Sequence, residues 1–141
     1  MSVPVMTVPG EPPASLSTAA VRASGLRKTY GTGETAVHAL AGVDVAFTAG
    51  QFTAIMGPSG SGKSTLMHCL AGLERPTSGQ VDIGGNETTS LGDRALTILR
   101  RERIGFVFQS FNLLPVLDAR DNIVLPIQLA GLRPDKAWMD S

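Results

Sequence analysis

A glycine-rich segment constrains this chain more than any other feature of its sequence. Residues 57–65 fit the pattern G-x-x-x-x-G-K-[ST] at every fixed position. The apolar stretch 51–56 predicts a strand before the segment, and residues 63–71 predict a helix after it. Glycines allow backbone N–H groups to turn inward around phosphate oxygens, because no side chain blocks the approach. The segment therefore predicts a phosphate-binding loop between a strand and a helix.

The residues of this loop have separate predicted roles. Lys63 neutralises the β and γ phosphates of a nucleotide, and the Ser64 hydroxyl is placed to bind Mg²⁺. The helix that begins here presents its positive N-terminal end to the anion. The competing interpretation is a glycine-rich turn that only links a strand to a helix. The predicted phosphate-binding residues are Gly57, Pro58, Ser59, Gly60, Ser61, Gly62, Lys63, Ser64 and Thr65.

Length and charge limit the classes of function that are open to this chain. The chain of 141 residues has the size of one ordinary domain, and its 12 basic and 12 acidic residues balance. A formal net charge of +0 gives no general attraction to nucleic acid or anionic lipid. The single cysteine, Cys69, excludes an intrachain disulfide, and its apolar surroundings predict an inert, buried thiol in a reducing compartment. We therefore expect a cytoplasmic location.

The first residues differ in composition from the rest. Residues 1–19 are rich in Pro, Ser, Ala and Thr without periodicity, which predicts a disordered tail before a domain at 20–141. No export signal is expected in it. The apolar runs elsewhere are much shorter than the ~20 residues needed to cross a bilayer. A membrane role would therefore require a partner subunit.

Periodicity and turn residues predict the remaining elements. Strands are expected at 20–29, 36–40, 42–48, 51–56, 80–83 and 104–109, with 52–56 covered on both faces. Helices are expected at 63–71, at 91–103 and from Asp118 toward Ala130. Gly72 is expected to terminate the first helix, and Pro126 to kink or shorten the last one. The arginines at the end of the second helix are interrupted by Glu102, which favours a solvated helix end over a nucleic-acid site. His38 and His68 lack neighbours at zinc-ligand spacing.

Several segments together resemble the ATPases of ABC transporters over nearly all of the chain after the tail. Residues 26–31, Leu-Arg-Lys-Thr-Tyr-Gly, are similar to the family segment whose aromatic residue stacks on adenine. Residues 73–79, Leu-Glu-Arg-Pro-Thr-Ser-Gly, are similar to the turn after the phosphate-loop helix. Residues 104–109 are similar to the strand that ends in the Q-loop glutamine, and 111–115 follow it as in the family. Details at 99–103, 122–126 and 129–131 are similar to the lipoprotein-release and macrolide-export group.

The resemblance implies an α/β fold of the P-loop NTPase class, ABC ATPase type, with N-terminal antiparallel β elements and a partial parallel core sheet. It implies that Tyr30 and Gln109 join the phosphate loop in binding ATP, and that Ser64 and Gln109 bind Mg²⁺. For Tyr30 the alternative is packing at a strand edge, and for Gln109 a polar strand end. The implied partners are a membrane permease and a second nucleotide-binding domain in a head-to-tail dimer. The implied location is the inner face of the cell membrane. The resemblance also implies that a helical subdomain begins after Gln109.

Three family motifs are missing from the 141 residues. The resemblance leads one to expect a Leu-Ser-Gly-Gly-Gln signature, an acidic pair after an apolar strand, and a switch histidine. Their absence predicts a truncated, marginally stable chain that binds ATP without efficient hydrolysis, so no catalytic residue is assigned. The alternatives are a non-catalytic nucleotide-binding or interaction fragment, and another phosphate-loop GTPase or kinase.

Overall fold

A computed structural model describes residues 5–6, 19–108 and 112–135. The chain divides into two compact units, Met1–Leu96 and Thr97–Ser141. The described elements in chain order are β1 (Val5–Met6), β2 (Ala19–Tyr30), a 3₁₀ turn (Gly33–Thr35), β3 (Val37–Thr48), β4 (Ala54–Ile55), α1 (Lys63–Leu70), β5 (Ser78–Ile83), β6 (Asn86–Glu87), α2 (Asp93–Arg103) and α3 (Ala119–Leu129).

The first unit contains a four-stranded antiparallel sheet in the order β3-β2-β5-β6. The sequence predicted two strands on either side of Ala41, but β3 is continuous over this region. Leu26 pairs with Val43 and Arg27 pairs with Ala41, which leaves Gly42 as the extra residue of a β-bulge. Gly42 has a φ of 98°, a conformation that glycine adopts without steric cost. The glycine that suggested a turn therefore bends a strand instead.

Helix α1 packs against β2 and β3, and this packing forms the core of the first unit. Leu26 of β2, Leu66 of α1 and Val81 of β5 are each 0% exposed. Removing such a side chain from water stabilises a fold by about 1.5–3 kcal/mol. The predicted helix end is confirmed, because Gly72 has a φ of 63° and the next amide, Leu73 N, donates to His68 O at 2.9 Å.

The strand before the phosphate loop is shorter than predicted. Only Ala54–Ile55 of the expected strand 51–56 is paired, and its partner is Val5–Met6 of the tail. Phe52 is 90% exposed, so the expectation that this strand is covered on both faces is wrong. Two residues of the predicted tail thus pair with β4, and Ala19 already belongs to β2. The other tail residues lie outside the described part of the chain.

In the second unit, α3 begins after Asp118, the residue predicted to cap it. The Asp118 carboxylate accepts a hydrogen bond from Asp121 N at 2.7 Å, which satisfies an amide that the helix leaves unpaired. Pro126 lies inside the helix without ending it. The strand predicted at 104–109 does not form over Ile104–Phe108, where the backbone is irregular. A strand needs a hydrogen-bonded neighbour, and every strand pair among the described residues is antiparallel and lies in the first unit. The expected parallel core sheet is therefore not formed within them.

Cys69 is 2% exposed on the inner side of α1, which confirms the prediction of a buried thiol. Burial raises its pKa, and the nearby Glu74 carboxylate adds to the increase.

Because the thiolate is the reactive form, we expect iodoacetamide at about pH 8 to label Cys69 in the folded chain at least tenfold more slowly than in the chain in denaturant. The raised pKa also predicts that the free energy of unfolding falls as the pH rises through the ordinary thiol range. Equal labelling rates with and without denaturant, measured by mass spectrometry, would contradict a buried thiol.

Candidate phosphate-binding site

The backbone of the loop between β4 and α1 changes direction at its glycines. Gly57, Gly60 and Gly62 have φ values of 151°, 77° and 88°, all in the region that side chains disfavour. A hydrogen bond of 3.3 Å from Ser61 N to Pro58 O closes a turn in the middle of the loop. The loop therefore has a backbone conformation that other residues would strain.

Gly62 has two further roles in this geometry. It is the N-cap of α1, and no side chain caps the first turn. The first amides of a helix have no partner within it, so the uncapped turn presents N–H donors and the positive end of the helix dipole. A Cβ atom at this position would lie 2.5 Å from Ala39 O of β3. Only glycine therefore allows the loop to pass so close to the neighbouring strand.

The Lys63 ammonium group lies over the loop that precedes it. Its Nζ donates to Gly57 O at 2.9 Å and to Pro58 O at 2.7 Å, and lies 3.5 Å from Ser61 Oγ. These contacts hold a positive charge against the backbone of the glycine-rich loop. The arrangement suits a compact, multiply charged anion such as phosphate.

The hydroxyls after Lys63 lie in the first turn of α1. Ser64 is exposed, and its oxygen is of the ligand type that Mg²⁺ prefers, with waters and phosphate oxygens completing the shell. The donor chemistry of this turn therefore fits Mg²⁺. No cluster of three or more His, Cys, Asp or Glu side chains occurs in the described ranges. The other predicted metal ligand, Gln109, lies outside them.

Tyr30 ends β2 and lies close to the phosphate loop. Its hydroxyl is 3.5 Å from Thr65 Oγ1, although the two residues are far apart in the sequence. The same hydroxyl donates to Glu74 Oε2 at 2.8 Å, and 40% of the residue surface remains exposed. The structure thus places the predicted base platform beside the last residue of the predicted phosphate loop.

Two charged neighbours of Tyr30 were assigned no role from the sequence. Glu74 Oε1 lies 3.0 Å from Lys28 Nζ, and this ammonium lies 5.1 Å from the centre of the tyrosine ring. The hydrogen bond from Tyr30 lowers the pKa of Glu74, and Lys28 lowers it further against the opposing effect of burial. Both residues occur in the segments used for the family resemblance, but their contact joins parts of the chain that sequence spacing does not relate.

Comparison with protein families identifies relatives of this chain. The model of the family described as ABC transporter matches residues 40–141. The chain is 49% identical over 115 residues to the macrolide export ATP-binding/permease protein MacB of Bdellovibrio bacteriovorus, covering 80% of this chain and 18% of that protein. It is 46% identical over 112 residues to the lipoprotein-releasing system ATP-binding protein LolD of Geobacter metallireducens, covering 79% and 50%.

A solved structure is also similar to this chain. The dimeric, post-hydrolysis ATP-binding cassette MJ0796 of Methanocaldococcus jannaschii, bound to ADP and Pi, matches with a TM-score of 0.77 at 42% identity. The match covers 84% of this chain and 52% of that one, so the chain spans about half of that cassette. No helix in the described part of the chain is long and apolar enough to cross a membrane. The predicted α/β P-loop fold of the ABC ATPase type is confirmed, and the chain belongs to the ABC transporter family.

Proposed function

We propose that this chain binds ATP with the loop at residues 57–65 and belongs to the energy-coupling part of a transporter. The observation that carries the proposal is the Lys63 ammonium, held over a glycine loop at the uncapped start of α1. The loop amides and Lys63 would hold the β and γ phosphates. The Tyr30 ring would stack on adenine, beside the loop through Thr65.

We propose Ser64 and Gln109 as the residues that hold Mg²⁺. When bound, the ion would neutralise the negative charge of the phosphate oxygens. Ser64 supplies a hydroxyl oxygen from the first turn of α1, next to Lys63. The roles of both residues follow from the family resemblance and from the oxygen chemistry of their side chains.

We propose a membrane permease and a second nucleotide-binding domain as partners, with the chain located at the inner face of the cell membrane. Relatives named for macrolide export and lipoprotein release support the export or lipoprotein-release type of complex. Co-purification of the chain with a permease of this type would test the first partner. Failure to associate with any candidate permease would favour a free nucleotide-binding fragment.

Calorimetric titration with nucleotides tests the central proposal. We expect Mg²⁺-ATP to bind, and GTP to bind within about tenfold of ATP, since stacking on an aromatic ring tolerates different bases. A folded chain that binds no ATP would refute the proposal, and a strong preference for GTP would favour a GTPase. We expect little or no turnover by this chain. Mg²⁺-dependent hydrolysis that is lost in Lys63→Ala would show that the missing motifs are not needed.

A further inference from the structure

The side chain of Tyr30 is fixed at its far end. A tyrosine at the exposed end of a strand has two rotatable side-chain bonds, and ordering it costs entropy. Here the hydroxyl donates to Glu74 Oε2 at 2.8 Å and also lies 3.5 Å from Thr65 Oγ1. The ring is therefore held between its own strand and the segment that follows α1.

Glu74 is itself held by Lys28, from the same strand as Tyr30. Lys28 Nζ lies 3.0 Å from Glu74 Oε1 and donates to Arg75 O at 2.8 Å. The Lys28 and Glu74 side chains are 15% and 27% exposed, so water screens this pair less than a pair on open surface. Each carboxylate oxygen thus has its own donor, one from lysine and one from tyrosine.

The same lysine also acts on the ring. Its ammonium lies 5.1 Å from the ring centre, within the range in which a cation is attracted to an aromatic face. Tyr30 as a residue is 40% exposed, so part of its surface is open to a ligand. Lys28, Tyr30 and Glu74 thus form one connected group, which we name the tyrosine clamp.

We propose that Glu74 and Lys28 are positioning residues that hold the Tyr30 ring in the orientation for stacking on the base of a bound nucleotide. The inference rests on the proposed function of Tyr30 as the base platform. A ring ordered before binding does not lose its rotamer freedom at binding, so its affinity for the base is greater. The lowered pKa of Glu74 is consistent with a carboxylate that stays ionised and accepts both hydrogen bonds.

The test compares ATP with inorganic tripolyphosphate, which has the phosphates but no base. In Glu74→Ala we expect ATP to bind about fivefold more weakly, the size expected when one side chain must be ordered at binding. We expect the affinity for tripolyphosphate to be unchanged. Equal losses for both ligands would show that Glu74 only supports α1 and would overturn the proposal.

A double-mutant cycle isolates the hydrogen bond. Tyr30→Phe keeps the ring but removes the hydroxyl, so we expect it to weaken ATP binding as Glu74→Ala does. The double variant should bind ATP no more weakly than either single variant. Additive losses would mean that the two residues act independently, which contradicts the clamp.

A third variant separates this inference from the proposed function. Tyr30→Ala removes the ring and should cost about tenfold in ATP affinity, since stacking of the base on an aromatic side chain is lost. If Tyr30→Ala weakens ATP binding but Glu74→Ala and Tyr30→Phe do not, the platform stands and the positioning role fails. If Tyr30→Ala has no effect, both fail.

Spectroscopy gives a readout independent of affinity. Tyr30 is the only tyrosine of the chain, so ring-labelled tyrosine yields one set of NMR signals. We expect Glu74→Gln to shift these signals, because one amide group cannot accept hydrogen bonds from both Tyr30 and Lys28 through separate oxygens. Its ATP affinity should fall between those of the wild type and Glu74→Ala. Unchanged ring signals in Glu74→Gln and Glu74→Ala would show that the ring is not held by this carboxylate.

Discussion

Lys63→Ala is expected to weaken ATP binding about 100-fold, the largest loss from any single side chain of the site. The substitution removes the ammonium that lies over the loop, and a hydrogen bond to a charged group contributes about 1.5–3 kcal/mol, or roughly one to two orders of magnitude in affinity. The measurement is calorimetric titration of Mg²⁺-ATP into both proteins. The ammonium donates to carbonyl oxygens of its own loop and joins no other element in the described structure, so we expect the fold to persist in the variant.

Arg103→Ala is the matched control for this variant. Arg103 is exposed in the last turn of α2, and its removal changes the net charge by the same amount. We expect its ATP affinity to equal that of the wild type. Similar losses in the two variants would mean that overall charge, rather than the position of Lys63, determines binding. An unaffected Lys63→Ala would contradict the proposed phosphate site.

Gly62→Ala is expected to lower the free energy of unfolding by about 3 kcal/mol or more. A left-handed conformation costs a non-glycine residue roughly 1–2 kcal/mol, and here the new Cβ would also lie 2.5 Å from Ala39 O. Both of the crowded atoms belong to backbone or are fixed to it, so β3 or the start of α1 has to move. Chemical denaturation followed by circular dichroism measures the loss.

Gly60→Ala separates the cost of the backbone conformation from the cost of the close contact with β3. Gly60 has a φ of 77° in the same loop, but a Cβ there would meet nothing within 4 Å. We expect it to lose only the conformational cost, roughly 1–2 kcal/mol. Equal destabilisation by the two substitutions would show that contact with β3 is unimportant. In that case Gly62 would be required for its backbone conformation alone.

The helices were predicted well because their patterns are local, whereas the antiparallel pairing of the N-terminal strands was implied by the family resemblance. The end of α1 at Gly72 and the cap of α3 at Asp118 depend on residues within one turn, and both form as expected. The errors concern pairing at a distance. Whether residues 104–108 form a strand depends on a neighbouring strand, and whether Gly42 makes a turn or a bulge depends on how β3 pairs with β2.

The phosphate loop was recognisable from sequence because its residues are consecutive and its backbone requires glycine. The tyrosine clamp was not, since its three residues come from β2 and from the segment after α1 and meet only in the fold. A lysine and a glutamate in two short segments show no spacing that indicates their contact. Gln109 lies outside the described residues, so its role remains a prediction.

The contacts of Lys63 imply that nucleotide binding is an exchange of hydrogen-bond acceptors. In the described loop the ammonium already donates to two backbone carbonyls. The phosphate oxygens of a bound nucleotide would therefore compete with these carbonyls, and we expect the binding enthalpy to be the difference between two sets of hydrogen bonds. A lysine held in this way needs little reordering to meet the anion. We therefore expect the loop to reduce the entropic cost of the proposed binding at the expense of part of its enthalpy.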